Sequence, residues 1–253
     1  MIHSIILGIV QGITEFFPVS SSAHLAFLEQ LFGITDKLQF TVFLHFGSVL
    51  AIILILWKDI WEILLHDKRT ILLLVIASIP AVIVGIGFES QIENIFNEPF
   101  MIAIALMITG LVLWFTRLKK AENNGRTKIR IIDAILIGIA QSLAIVPGLS
   151  RSGFTISTGI YMGVDRTAAT KFSLLLGCIA ILGASLLEFI DILKLGSSTL
   201  KTMDFGVISV GVFISFLVSY MAIKLLFKVV RKQSFSLFAI YCWVVGIFVL
   251  LKS

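Results

Sequence analysis

Residues 11–24 read QGITEFFPVSSSAH, and this stretch decides the fold. It sets a carboxamide (Gln11), a carboxylate (Glu15), three consecutive hydroxyls (Ser20, Ser21, Ser22) and an imidazole (His24) inside an apolar N-terminus. Gln11 and Glu15 are four residues apart, so a helix puts them on one face. Pro18 cannot continue that helix in its interior, and it pushes Phe17 towards an extended backbone. The serines then offer N-caps for a second helix. The spacing predicts helix, break, helix, with polar groups gathered at the break.

Around this stretch the chain is strongly apolar. Of its 253 residues, 58% are hydrophobic and 14% charged, and the mean hydropathy is +1.06. A soluble domain carries roughly 25% charged residues. There are too few charges here to coat a soluble surface, so the chain reads as a polytopic membrane protein. The net charge of +5 would suggest nucleic acid only in a soluble protein, so no nucleic-acid partner is expected. The two cysteines, Cys178 and Cys242, lie in apolar runs and read as small buried hydrophobes. No basic segment precedes the first apolar run, and polar residues interrupt it, which argues against a cleavable signal peptide.

Six apolar runs are long enough to span at about 20 residues each: 39–57, 70–88, 99–117, 168–190, 205–227 and 235–251. Two shorter ones, 2–16 and 132–146, run into Pro18 and Pro147 and are followed by short helical stretches over 20–33 and 151–163. A helix pair of that size can dip into the bilayer and return, provided protein or a water-filled cavity covers its backbone.

The halves repeat. A constant offset of 130 aligns Gly8, Ile9 and Gln11 with Gly138, Ile139 and Gln141, and Ser20 and Ser22 with Ser150 and Ser152. It also aligns Gly33 with Gly163 and Gly47 with Gly177. Chance matching of apolar segments would give scattered Leu and Ile identities instead. The expectation is one integral membrane domain over 1–253, with repeat one over 1–117 and repeat two over 131–253. Fifteen of the 20 basic residues fall in loops 58–69, 117–131, 164–171 and 224–234. The opposite side has Lys37, Lys194, Lys201 and Lys252, plus an acidic loop with Glu89, Glu93 and Glu98. The positive-inside rule puts the first set in the cytoplasm and both termini outside. The fold class is then an all-α polytopic membrane protein: an inverted-topology repeat, about six transmembrane helices plus two re-entrant helix pairs. The two breaks of such a repeat meet near the midplane, the usual place for a site.

The second break, 147–155, reads PGLSRSGFT. Arg151 is the one basic residue with no place in a loop or near a helix end, and a guanidinium at membrane depth is a functional candidate by default. Ser150, Ser152 and Thr155 supply hydroxyls, Gly148 lets backbone approach a ligand, and a helix N-terminus offers free N–H groups. That set suits phosphate. Glu15 and Gln11 can hold a divalent cation, Mg²⁺ or Ca²⁺, that also touches phosphate oxygens. Ser21 is a candidate nucleophile, with His24 as base or leaving-group acid. The plainer alternatives are a Glu15–Arg151 pair that only ties the halves together, serines that only cap helices, and a satisfied interior histidine. His45, in the first span, reads as a support or as helix–helix glue.

The segments ILGIVQGITEFFPVSSSAHL and PGLSRSGFTIS resemble the two signatures of the undecaprenyl pyrophosphate phosphatase family, the bacitracin-resistance type. The first signature has Glu or Gln, three residues, then Glu, here Gln11 and Glu15. The second is PGxSRSxxT, matched by Pro147, Gly148, Ser150, Arg151, Ser152 and Thr155. Many members have Glu where this chain has Gln11, so one possible metal ligand is missing. The resemblance implies hydrolysis of undecaprenyl pyrophosphate to the monophosphate and phosphate, at a cell-membrane site open to the outer face. It implies a divalent cation, recycling of the lipid carrier for cell-wall synthesis, and bacitracin resistance. Carried over by position, Glu15, Ser21, His24 and Arg151 are the catalytic candidates, and Gln11, Ser20, Ser150 and Thr155 their supports. A transporter or flippase of the same lipid, alone or with the hydrolase activity, is the alternative. The bilayer and a polyprenyl pyrophosphate are the expected partners, and a homodimer is left open.

Overall fold

The computed structural model describes residues 1–33, 37–96, 98–119, 125–194, 205–231 and 235–252. Lys120, Lys201 and Lys232 of the charge pattern lie outside these, as do the side chains of Lys37, Glu89, Glu93, Lys194 and Lys252. The described residues form eleven α-helices. These are α1 (Ile2–Thr14), α2 (Ser21–Leu31), α3 (Lys37–His66), α4 (Lys68–Gly87), α5 (Glu89–Phe96) and α6 (Pro99–Phe115), then α7 (Ile131–Leu143), α8 (Arg151–Tyr161), α9 (Arg166–Lys194), α10 (Phe205–Arg231) and α11 (Phe235–Lys252).

Among the described residues, five stretches are long and apolar enough to cross a membrane: Thr41–His66, Lys68–Gly87, Pro99–Leu118, Arg166–Leu187 and Gly206–Arg231. The chain is thus a polytopic membrane protein. The sixth expected span, 235–251, is a shorter apolar helix. At 18 residues and 1.5 Å per residue, α11 is about 27 Å long, against a hydrocarbon core of about 30 Å. Large apolar side chains such as Trp57, Leu72, Ile83 and Phe100 are exposed. That suits lipid and not water.

Both proline breaks form as the sequence predicts. α1 ends at Thr14, and α2 begins at Ser21 with Ser20 as its N-cap residue. α7 ends at Leu143, and α8 begins at Arg151 with Ser150 as its N-cap. α2 and α8 start and end 130 positions apart. Gly33 and Gly163, also 130 apart, follow them with φ of +64° and +77°. The offset drifts after α9, where the later helices no longer keep it.

The two sets of helices exchange partners. α1 packs on α10, and α7 packs on α4; α3 meets α9 across the middle. The close approach of α1 to α10 needs small residues, because a Cβ at Gly12 would lie 2.9 Å from the Ser215 carbonyl oxygen. At one end of the molecule three of the basic loops touch. Arg126 donates to both carboxylate oxygens of Asp133 (2.9 and 3.2 Å) and to the Met162 carbonyl (2.7 Å). Arg166 donates to the carbonyls of Thr116 (3.4 Å) and Lys119 (3.1 Å), and Lys171 pairs with Asp59. Cys178 and Cys242 are buried free thiols.

Candidate active site

The first break delivers Gln11 and Glu15 on one face of the end of α1, as their spacing requires, and both are buried. Glu15 is the centre of the cluster. Its Oε2 accepts from the Ser21 hydroxyl (2.7 Å) and from Gln11 Nε2 (3.1 Å), and His45 Nε2 lies 3.4 Å away. Its Oε1 accepts from Arg151 of α8. A buried carboxylate is stable only with such partners. Gln11 also reaches Ser48 Oγ at 3.4 Å, and Ser48 meets Ser215 (3.3 Å) and Ser219 (3.0 Å) on α10.

The second break is braced from α6. Thr109 Oγ1 donates to the Gly148 carbonyl (3.2 Å) and accepts from Ser150 N (3.1 Å). Gly148 has φ +95°, and a Cβ there would sit 2.5 Å from the Ile102 carbonyl oxygen. Glycine is therefore required by the turn and by α6, which accounts for it without a ligand. Ser150 Oγ accepts from Gly153 N (3.1 Å) and caps α8, with Ser152 Oγ 3.3 Å away. Thr155 Oγ1 donates to the Arg151 carbonyl (2.7 Å) and lies 2.5 Å from Ser173 Oγ. The two breaks meet: a Cβ at Gly153 would lie 3.1 Å from Pro18 Cβ.

The structure thus joins Gln11, Glu15, Ser21 and Arg151 in one hydrogen-bonded cluster. Ser20, Ser22, Ser150, Ser152, Thr155 and Gly148 shape the two breaks around it. Ser20 holds a left-handed φ of +67°, a strained state for a residue with a Cβ, and its hydroxyl lies 3.1 Å from that of Ser22. His24 does not hydrogen-bond Ser21. Its Nδ1 faces the Ser20 carbonyl (2.7 Å) and its Nε2 the Tyr241 hydroxyl (2.7 Å). The serine hydroxyl is instead bonded to Glu15.

His45, Ser48, Thr109 and Tyr241 join or brace the site from α3, α6 and α11, and only His45 carries a signal in the sequence. An unexplained polar residue in a span is that signal. The others lie in apolar helices where only packing reveals their partners.

Two observations bear on a cation. Gln11 Oε1 is buried with no hydrogen-bond partner among the described residues, and its amide bonds a carboxylate. Among the described residues, no three His, Cys, Asp or Glu side chains cluster as a metal group. One carboxylate and one amide oxygen fit a cation that draws its remaining ligands from phosphate and water.

Beside His24 opens a cavity of about 430 Å³ between α1, α2, α6 and α11. Its walls are mostly apolar, with Phe27, Ile102, Leu106, Val245 and Phe248 among them, and His24 and Tyr241 form part of its lining.

A family model described as bacitracin resistance protein BacA matches residues 4–248. An undecaprenyl-diphosphatase of Halothermothrix orenii is 40% identical over 254 residues, covering 98% of this chain and 96% of that protein. Proteins of the same name from Thermodesulfovibrio yellowstonii and Methanobrevibacter smithii are 37% and 38% identical. They cover 99% and 100% of this chain, and 96% and 98% of their own length. With the buried Glu15 cluster and both breaks inside the matched span, the chain belongs to the bacitracin resistance protein BacA family.

Proposed function

We propose that this chain hydrolyses undecaprenyl pyrophosphate to undecaprenyl phosphate and inorganic phosphate. The observation that carries the reading is the bond from the Ser21 hydroxyl to a buried carboxylate that also holds Arg151. A nucleophile, a base and an anion-binding guanidinium are the parts that phosphoryl transfer needs. The substrate comes from the relatives' name, and the apolar cavity beside His24 supports a lipid tail.

In this mechanism the pyrophosphate draws the Arg151 guanidinium from Glu15 onto its own oxygens, two at a time. Ser21 Oγ attacks the terminal phosphorus as its proton passes to Glu15 Oε2. The bond from that phosphorus to the bridging oxygen breaks, and that oxygen leaves with the lipid monophosphate. Water then attacks the seryl phosphate, and Glu15 returns the proton to the departing serine oxygen. Direct water attack with Glu15 as base is the other route, and Ser21→Ala separates the two. Glu15 and Gln11 Oε1 are the groups that would hold a divalent cation, whose charge would offset that on the phosphates.

The charge pattern supports a plasma-membrane protein with the basic loops in the cytoplasm, the termini outside and the site open to the outer face. The joined loops around Arg126, Arg166 and Lys171 support their lying on one side. The repeat offset and the exchanged partners support two repeats of opposite orientation with re-entrant pairs. Purified protein in detergent, where translocation has no meaning, should release phosphate from a polyprenyl pyrophosphate, and a chelator should reduce the rate. No turnover with any divalent metal, alongside lipid movement in vesicles, would favour a flippase.

A further inference from the structure

The geometry points to Tyr241 as the residue that positions His24 for proton exchange, an inference that rests on the hydrolase reading above. The two rings come from helices at opposite ends of the chain, 217 positions apart. They stack with centroids 5.7 Å apart and an interplanar angle of 10°, and the Tyr241 hydroxyl lies 2.7 Å from His24 Nε2. The other ring nitrogen, Nδ1, lies 2.7 Å from the Ser20 carbonyl. A carbonyl only accepts, so Nδ1 carries a hydrogen in either charge state of the ring. Nε2 is therefore the atom that gains or loses a proton. When it is bare, the tyrosine O–H donates to it. When it is protonated, it donates to the phenol oxygen. A hydroxyl serves both states without moving, and the stacked ring keeps the imidazole plane fixed.

The location gives this pair a purpose. Ser20, which anchors Nδ1, is the one non-glycine residue with positive φ among the described residues, and it sits directly before Ser21. Both rings line the apolar cavity, whose remaining walls offer few polar partners. There the imidazolium would pass its Nε2 proton to the Tyr241 hydroxyl as that hydroxyl gives its own proton to the bridging oxygen of the departing lipid monophosphate, and Nε2 would be reprotonated from water. Tyr241 as a plain wall of the cavity is the competing role, and the two differ in kinetics. A wall residue sets KM, whereas a group supporting His24 while it changes charge sets kcat.

The test is steady-state phosphate release from a polyprenyl pyrophosphate by detergent-solubilised Tyr241→Phe, which deletes one oxygen and keeps the ring. Its kcat should fall by about ten- to a hundredfold, the worth of a hydrogen bond to a charged group, with KM within about twofold. Tyr241→Leu should lose kcat equally and raise KM as well, because it also removes the wall. Size-exclusion profile and melting temperature report folding for both. A Phe variant within about threefold of wild type in kcat, or one changed in KM alone, overturns the proposal. Wild-type protein with no turnover would sink the hydrolase reading itself, whereas an active wild type with an unaffected Phe variant sinks only Tyr241.

Discussion

Arg151 donates to Glu15 across 136 residues of sequence, so the cation of one proline break neutralises the carboxylate of the other. A carboxylate buried as Glu15 is needs such a counter-charge. The guanidinium lies close against α9 at Gly177, where no side chain would fit without displacing it. The contact therefore ties the two halves together and, in the proposed mechanism, keeps the guanidinium that would bind phosphate beside Ser21.

If the pair were only structural, a lysine would serve. A phosphate clamp needs the planar fork. Arg151→Lys should stay monodisperse yet lose at least about a hundredfold in kcat/KM, as removal of one transition-state donor commonly does. Phosphate release by matched preparations measures this. A lysine variant within about threefold of wild type would leave Arg151 as a counter-ion.

Ser21 and Ser22 are adjacent but bonded differently. Ser21 donates to Glu15, while Ser22 meets Ser20. Ser21→Ala should abolish most turnover. Ser22→Ala should reduce it by less than about tenfold, with a stability change of about 1 kcal/mol, the scale of a lost local hydrogen bond. Equal and small effects would make water the nucleophile. Trapping of labelled phosphate on the wild-type chain after quenching would independently report the seryl intermediate.

His45 holds its Nδ1 to the Thr41 carbonyl at 2.8 Å and turns Nε2 to Glu15. As an imidazolium it would donate from Nε2 and steady the carboxylate that the proposed mechanism uses as the base for Ser21. His45→Gln keeps an N–H donor and should retain activity within about fivefold, whereas His45→Leu should cost about tenfold or more, one lost charge-assisted bond. Comparable rates for the two variants would remove His45 from the site.

The joined basic loops give a topology that labelling can read. In a Cys178→Ala, Cys242→Ala background, Lys128→Cys and Ser90→Cys place single thiols at exposed positions near opposite ends of the helices. An impermeant maleimide on intact cells should label the Ser90→Cys protein and leave the Lys128→Cys protein unlabelled until the membrane is opened. The reverse pattern would invert the orientation and the side on which the site opens.

Composition and short-range spacing were enough to read the membrane class, both proline breaks, the offset of 130 and the shared face of Gln11 and Glu15. Each of these follows from local physics: helix periodicity, the missing N–H of proline, and the scarcity of charge. The sixth apolar run forms a helix over almost the bounds read for it, but it is shorter than the five stretches long enough to span, because an apolar run marks a helix without making it long enough to cross. Tertiary structure alone decided that His24 turns to Tyr241 and away from Ser21, that Thr109 braces the second break, and that Ser48, Ser215 and Ser219 lie behind Gln11. Those partners sit in helices that read as uniformly apolar. A helix pattern says which face is buried but not against what, and a contact between residues 24 and 241 exists only once the helices have packed.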